Sequence, residues 1–222
     1  MKRIGLLSDT HGWLDPRIRE HFAQCDEVWH AGDIGGLHVT DELGKWIPQG
    51  GMLRAVCGNI DDAQARATFP EHQRFTVEGV RVWITHIGGR PPGYDRHVIQ
   101  ELRTLGQVSD PGGEEADLRR TLGRVSNPGG EEAGLRRTFG RVSDPSGREA
   151  GLRPAGPLVF ICGHSHLCMV KYDERLKLLY MNPGACGRHG FHHVRTILRF
   201  TIDGQQLKDL EVIELGPRGK LQ

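Results

Sequence analysis

Ile4-Gly5-Leu6-Leu7-Ser8-Asp9-Thr10-His11-Gly12 is the stretch on which the fold turns. A short apolar run stops at a serine, and a carboxylate and an imidazole follow it, two residues apart. Such a run, bounded by polar residues, reads as a buried strand whose C-terminal end carries chemistry. The arrangement returns four times. Val28 to Ala31 leads into Gly32-Asp33, Met52 to Cys57 into Gly58-Asn59, Val80 to Thr85 into His86, and Leu158 to Cys162 into Gly163-His164-Ser165-His166. Between these runs Pro16 to Gln24 and Thr40 to Trp46 carry helical spacing. The alternation argues for an α/β layered fold with its site on loops at strand ends. Further on, Leu178 to Met181 and Thr196 to Ile202 read as strands, Asp203-Gly204 as a hairpin turn and Leu207 to Leu215 as the return strand, so the last third is mainly β.

The chain has 222 residues, 29 basic and 28 acidic, for a formal charge of +1. That length can bury a core as one large domain. The charge balance provides no global field for nucleic acid or an anionic membrane, so recognition of phosphate has to be local. Cys25, Cys57, Cys162, Cys168 and Cys186 are odd in number and scattered, with no Cys-x-x-Cys pair. They read as reduced, mostly buried thiols of a cytoplasmic protein. Met1 to Ser8 is too short for a signal h-region, and no apolar run approaches the roughly 20 residues that span a bilayer. No membrane partner is expected.

One segment breaks the pattern. Arg103-Thr104-Leu105-Gly106, Arg120-Thr121-Leu122-Gly123 and Arg137-Thr138-Phe139-Gly140 begin three units with a period of 17, each with a Val-Ser-(Asp/Asn)-Pro turn. Leu118, Leu122 and Val125 fall at helical spacing, but the apolar face is thin. Solenoid units run to about 20 residues or more and bury a continuous core, which these positions do not supply. Residues 103–153 therefore read as an insertion, disordered or partly helical, within a single domain over residues 1–222. Its ends must lie close together on one surface, and its length costs little stability. A partner-binding segment or a lid over the site are the functional alternatives. The near-identity of the units indicates duplication within the gene, which requires no function.

Asp9 and His11, and again His164 and His166, are spaced to project to one side of a strand end. Asp33 supplies an anionic carboxylate able to bridge two cations, Asn59 a neutral amide oxygen and His86 another imidazole. Two cations roughly 3.5 to 4 Å apart can hold a bridging hydroxide at neutral pH and clamp the phosphoryl oxygens of an in-line displacement. Nitrogen and oxygen donors without thiolate suit Mn²⁺, Fe or Zn²⁺, with Ni²⁺ also open.

Taken in order, Asp9-x-His11, Gly32-Asp33, Gly58-Asn59, His86 and Gly163-His164-x-His166 resemble the calcineurin-like metallophosphoesterase family. The likeness is nearest to its small single-domain bacterial and archaeal phosphodiesterases, through Ser8 to Gly12 and the Asn182-Pro183-Gly184 turn. It covers residues 1 to about 102 and about 154 to 216. The resemblance implies a four-layer α/β/β/α sandwich of two mixed sheets flanked by helices. It implies one metal held by Asp9, His11, Asp33 and His166, and a second by Asp33, Asn59, His86 and His164, with Mn²⁺ the usual choice in assays. It leaves a homo-oligomer open. Some relatives have lost ligands and serve as binding scaffolds, as in the small retromer subunit; here no ligand position is missing.

One position departs from the family. Many of its phosphatases carry a histidine after Gly-Asn, thought to protonate the leaving group, and this chain reads Gly58-Asn59-Ile60-Asp61. Loss of a general acid costs about 10² to 10⁴ in rate, most for poor leaving groups. Activated aryl diesters are expected to be cleaved well and alkyl monoesters weakly, with no general acid identified.

The remaining polar residues carry less. Asp61 and Asp62 precede Ala63 to Ala67 and read as N-caps. His30 is placed to hydrogen-bond a ligand from behind. His21, His38, His72 and His97 read as surface or packing residues. Arg90, after Gly88-Gly89, is able to grip a substrate phosphate bidentately, with a solvated arginine as the alternative. Arg188 to His193 reads as a rim of the same cleft, with His192 a substrate contact or, with His193, an adventitious surface metal site. The expected activity is hydrolysis of a small phosphodiester or related phosphate ester by attack of a metal-bridging hydroxide. A non-catalytic scaffold and a nuclease or cyclic-nucleotide phosphodiesterase are the alternatives, and the lack of a basic field argues against long nucleic acid.

Overall fold

The computed structural model describes residues 1–105 and 156–218. Sheet one runs in the order β12-β11-β1-β2-β3, with β1 (Lys2–Leu7), β2 (Glu27–His30) and β3 (Met52–Ala55) parallel to one another. β11 (Val194–Asp203) pairs antiparallel to β1, and β12 (Gln206–Pro217) antiparallel to β11. Sheet two is β4-β5-β8-β10-β9. In it β5 (Val80–Thr85), β8 (Leu158–Ile161) and β10 (Leu178–Pro183) are parallel, with β4 (His72–Val77) and β9 (Cys168–Asp173) antiparallel at the edges. A small hairpin joins β6 (Gly89–Arg90) to β7 (Gly93–Tyr94).

Alternation along each strand separates three cores. Ile4, Leu6 and Trp29 of sheet one meet Val82, Ile84, Ile161 and Met181 of sheet two in the central layer. On the outer face of sheet one, Leu7 and Val28 pack with Ile18 and Phe22 of α1 (Ile18–Phe22) and with Val39 and Leu43 of α2 (Leu37–Trp46). On the outer face of sheet two, Trp83, Phe160 and Tyr180 pack with Val98 and Leu102 of α4 (Arg96–Thr104). Helix, sheet, sheet and helix stack as expected. The short helix α3 (Ala63–Thr68) follows β3.

Several boundaries differ from the sequence reading. The first helix is confined to Ile18–Phe22, and the second begins at Leu37, three residues early, because Gly36 at φ 138° starts it. β4, β9 and α4 were not anticipated. Of the repeat insertion read at 103–153, Arg103 and Thr104 end α4 and residues 106–153 lie outside the described residues. Leu102 and Leu158, on either side of them, both belong to the third core. The hairpin closes on the pair Asp203 and Gln206, with Gly204 at φ 57° in its turn. Among the described residues no helix is long and apolar enough to cross a membrane.

Candidate metal centre

All five motif loops leave the C-terminal ends of parallel strands, β1, β2 and β3 in one sheet, β5 and β8 in the other. They converge at the seam between the sheets. The means of convergence differs from the sequence argument. β1 ends at Leu7 and β8 at Ile161, so strand alternation does not aim Asp9, His11, His164 or His166. The backbone does so by turning left-handed, with φ 55° at Asp9, 48° at His11, 54° at Asp33, 64° at His164 and 58° at His166. Asp and His tolerate this region better than most residues, yet each costs about 1 to 3 kcal/mol and persists only where the surroundings enforce it. Backbone bonds enforce it here. Asp9 N–H donates to Gly32 O at 3.0 Å, His11 N–H to Asp33 O at 3.0 Å and Gly12 N–H to Ile34 O at 2.8 Å.

The donors form two groups, Asp9 with His11 and His166, and Asp33 with His86 and His164, each within 4.8 Å. His166 Nε2 lies 3.2 Å from Asp9 Oδ1 and 3.5 Å from His11 Nε2. His86 Nε2 lies 3.1 Å from both Asp33 Oδ1 and Asn59 Oδ1. Asp33 faces both ways, its Oδ2 standing 3.9 Å from His11 Nε2. Glycine permits this density, since a Cβ on Gly58 would lie 2.1 Å from Asp33 Oδ1. All seven residues named from the sequence are therefore brought together.

The donor chemistry fits cations. Asp9 Oδ2 accepts the Ser8 hydroxyl and the His164 N–H, whereas Asp9 Oδ1 is buried and accepts no hydrogen bond. A buried carboxylate oxygen without a donor is costly unless a cation meets it. His86 Nδ1 pairs with Ala31 O at 2.8 Å, the contact that presents Nε2 to the cluster. Burial works against charge on both members of the Asp33–His86 pair, but their mutual contact outweighs it, holding the Asp33 carboxyl below and the His86 ring above its ordinary value. Burial holds the His11 ring below its ordinary value against the pull of Asp33 and Asp9, which keeps that imidazole neutral.

The supporting residues were only partly foreseen. His30 does not touch a ligand. Its Nε2 pairs with the Thr10 hydroxyl at 2.9 Å and its Nδ1 accepts the Gly32 N–H at 3.2 Å, while Thr10 donates to Ile34 O at 2.8 Å. Full burial pushes the His30 ring down to about 4, so it is neutral and acts through the backbone between the ligands. Asp62 caps α3 through Ala65 N–H at 2.8 Å, as read. Asp61 does something else: its two oxygens accept Gly35 N–H and Gly58 N–H, each at 2.7 Å, tying the Asp33 loop to the Asn59 loop. Asn182, read only as part of a turn, donates to Gly163 O at 2.8 Å and Ser165 Oγ at 3.1 Å. Ile60 donates its N–H to Asp33 Oδ1 at 3.1 Å and offers no side-chain proton.

A cavity of about 410 Å³ adjoins Asn59 and His86 and is lined further by His72 and His97, and a second of about 250 Å³ is lined by Arg188 to His193 and Arg218. His192 lines the second; Arg90, exposed on β6, lines neither. The five cysteines are free, and burial pushes Cys25 up to about 11 and Cys162 and Cys186 up to about 12, in keeping with inert thiols.

The family model for the calcineurin-like phosphoesterase superfamily domain matches residues 1–111. The chain belongs to that superfamily. Among solved structures, this phosphoesterase domain is similar to Vps29 from Chaetomium thermophilum, at 12% identity and TM-score 0.57 over 99% of this chain and 100% of that one. It is similar also to an archaeal phosphodiesterase, at 17% identity and TM-score 0.54 over 96% and 99% of the two chains. A Zn²⁺ complex of Vps29 from Entamoeba histolytica matches at 14% identity and TM-score 0.54, over 96% and 98%. At these identities the likeness is one of fold. No curated protein matches the chain.

Proposed function

We propose that the protein is a phosphodiesterase that hydrolyses a small phosphodiester at a two-cation centre. One cation would be held by Asp9, His11, Asp33 and His166, the other by Asp33, Asn59, His86 and His164. The observation that carries the reading is Asp33, whose two oxygens face the two donor groups, beside the undonated, buried Oδ1 of Asp9. Two bound divalent cations, Mn²⁺ or alternatively Fe, Zn²⁺ or Ni²⁺, supply hydroxide at neutral pH and the charge to clamp a phosphoryl group.

The chain's own residues do the rest. Four imidazoles, two carboxylates and one amide make up the donor set, and Asp61 and His30 keep the loops in register. Ile60 gives no proton to a leaving group, which favours esters whose alcohol is already acidic. With a net charge of +1 the domain has no field for long polynucleotides, so the substrate is small. The abundance of unpaired buried thiols suits a cytoplasmic setting.

The test is hydrolysis of bis-(p-nitrophenyl) phosphate by metal-stripped protein titrated with Mn²⁺, beside an Asp33→Asn variant. Turnover is expected to rise with Mn²⁺ and to fall at least about 10²-fold in the variant, which leaves the two cations without their shared anion. Silence with Mn²⁺, Fe, Zn²⁺ and Ni²⁺ alike would favour the second reading, a binding scaffold, to which the Vps29 structures sharing this fold lend weight.

A further inference from the structure

The loop between β10 and β11 is held with unusual care for a surface segment. Cys186 N–H donates to Ser8 O and Gly187 N–H to Asp9 O, each at 3.1 Å, so the loop runs directly over the first ligand turn. Arg218, just past β12, folds its guanidinium into it, donating to His192 O at 3.0 Å, to Ala185 O at 3.1 Å and also to the carbonyls of Gly187 and His189. Gly190, at φ 146°, passes so near His166 that a Cβ there would lie 2.8 Å from its Nδ1.

What this fastening presents is an aromatic ring. Phe191 is 91% exposed, more than any other large apolar residue described. Its ring lies 5.9 Å from that of His166 and inclined to it by 30°. His189, which lines the same 250 Å³ cavity, meets the His11 ring at 5.7 Å. Leaving a phenylalanine in water forgoes about 1.5 to 3 kcal/mol of burial, and a loop fastened this firmly does not expose it through slackness. A flat ring attached to a phosphate held by a cation on Asp9, His11 and His166 would fall beside Phe191, in the cavity that exposed Arg188 also lines.

We propose that Phe191 and the cavity beside it seat a planar aromatic arm of the substrate, an aryl group or a nucleobase esterified to the phosphate. The assignment rests on the phosphodiesterase reading and narrows its substrate class. It predicts discrimination by the ring itself, since stacking on an aromatic side chain is sequence-tolerant and strong enough to measure.

The experiment is calorimetric binding to Mn²⁺-loaded protein of phenylphosphonate, methylphosphonate and thymidine 5′-monophosphate, in wild type, Phe191→Ala and Phe191→Trp. The wild type is expected to prefer phenylphosphonate over methylphosphonate by about five-fold or more. Alanine should erase the preference and tryptophan keep it, and the thymidine ligand separates a nucleobase seat from a plain aryl one. The same preference in Phe191→Ala, an equal loss for both phosphonates, or no preference in the wild type would each overturn the proposal. Turnover of bis-(p-nitrophenyl) phosphate, followed in parallel, isolates the other failure: an inactive wild type sinks the phosphodiesterase reading whatever the binding ratios.

Discussion

At the scale of a residue, Asp15 shows how much a single buried carboxylate carries. Arg195 of β11 reaches its Oδ2 at 2.6 Å from within the fold, and Arg17 reaches the same oxygen at 2.6 Å from the solvent side. Burial works to raise the carboxyl, but the hydrogen bonds from Arg17 and Arg195 outweigh it and hold it at about 2, below the ordinary 3.8. A depressed carboxyl stabilises the fold above its unfolded value and loses that contribution as pH falls through the folded one. About 2 kcal/mol should therefore be present above pH 4 and drain away toward pH 2. Urea unfolding of the wild type and Asp15→Asn across that range checks it: the gap between them should be widest at neutral pH and narrow on acidification. The residues missed or misjudged in the sequence are of the same kind. The seven donors were legible because motif order exposes them, but Asp61 beside Gly35, or His30 behind Thr10, are neighbours in space and far apart in the chain. A one-dimensional reading assigns Asp61 to the nearest helix because that helix is all it can see.

At the scale of an element, the three ligand turns that hold Asp9 and His11, Asp33, and His164 and His166 left-handed are where local preference and purpose part. Strands buried on both faces announced themselves, as in Leu158–Ile161, while the exposed edges did not. His72–Val77 and Cys168–Asp173 are interleaved with polar side chains and lie at the margins of sheet two. The helix over Arg96–Thr104 buries only Val98 and Leu102, a weak signal beside its charged residues. The left-handed turns left no mark in the spacing at all, because any short polar motif after a strand admits several backbone paths. Their cost is measurable. His11→Gly and His11→Ala both remove the imidazole, but at φ 48° only glycine is unstrained. In metal-free protein the glycine variant should be more stable by about 1 kcal/mol in urea unfolding. Equal midpoints would show that the turn relaxes when its side chain is gone.

At the scale of the whole molecule, each donor group draws on both sheets, Asp9 and His11 with His166 across the seam, and Asp33 with His86 and His164. A cation bound there is a cross-link between chain segments as distant as residues 11 and 166, 155 positions apart. It would act on the molecule as a reversible disulfide does, by forbidding the sheets to part. Occupancy at a hundred times the dissociation constant contributes about 2.7 kcal/mol per site. Chelation should accordingly lower the unfolding temperature by roughly 5 to 10 °C for each site emptied, as read by calorimetry with and without EDTA. Digestion by a protease should quicken in step, since cleavage follows the population of the opened chain. The supply of divalent cations would then govern how long each copy of the protein lasts.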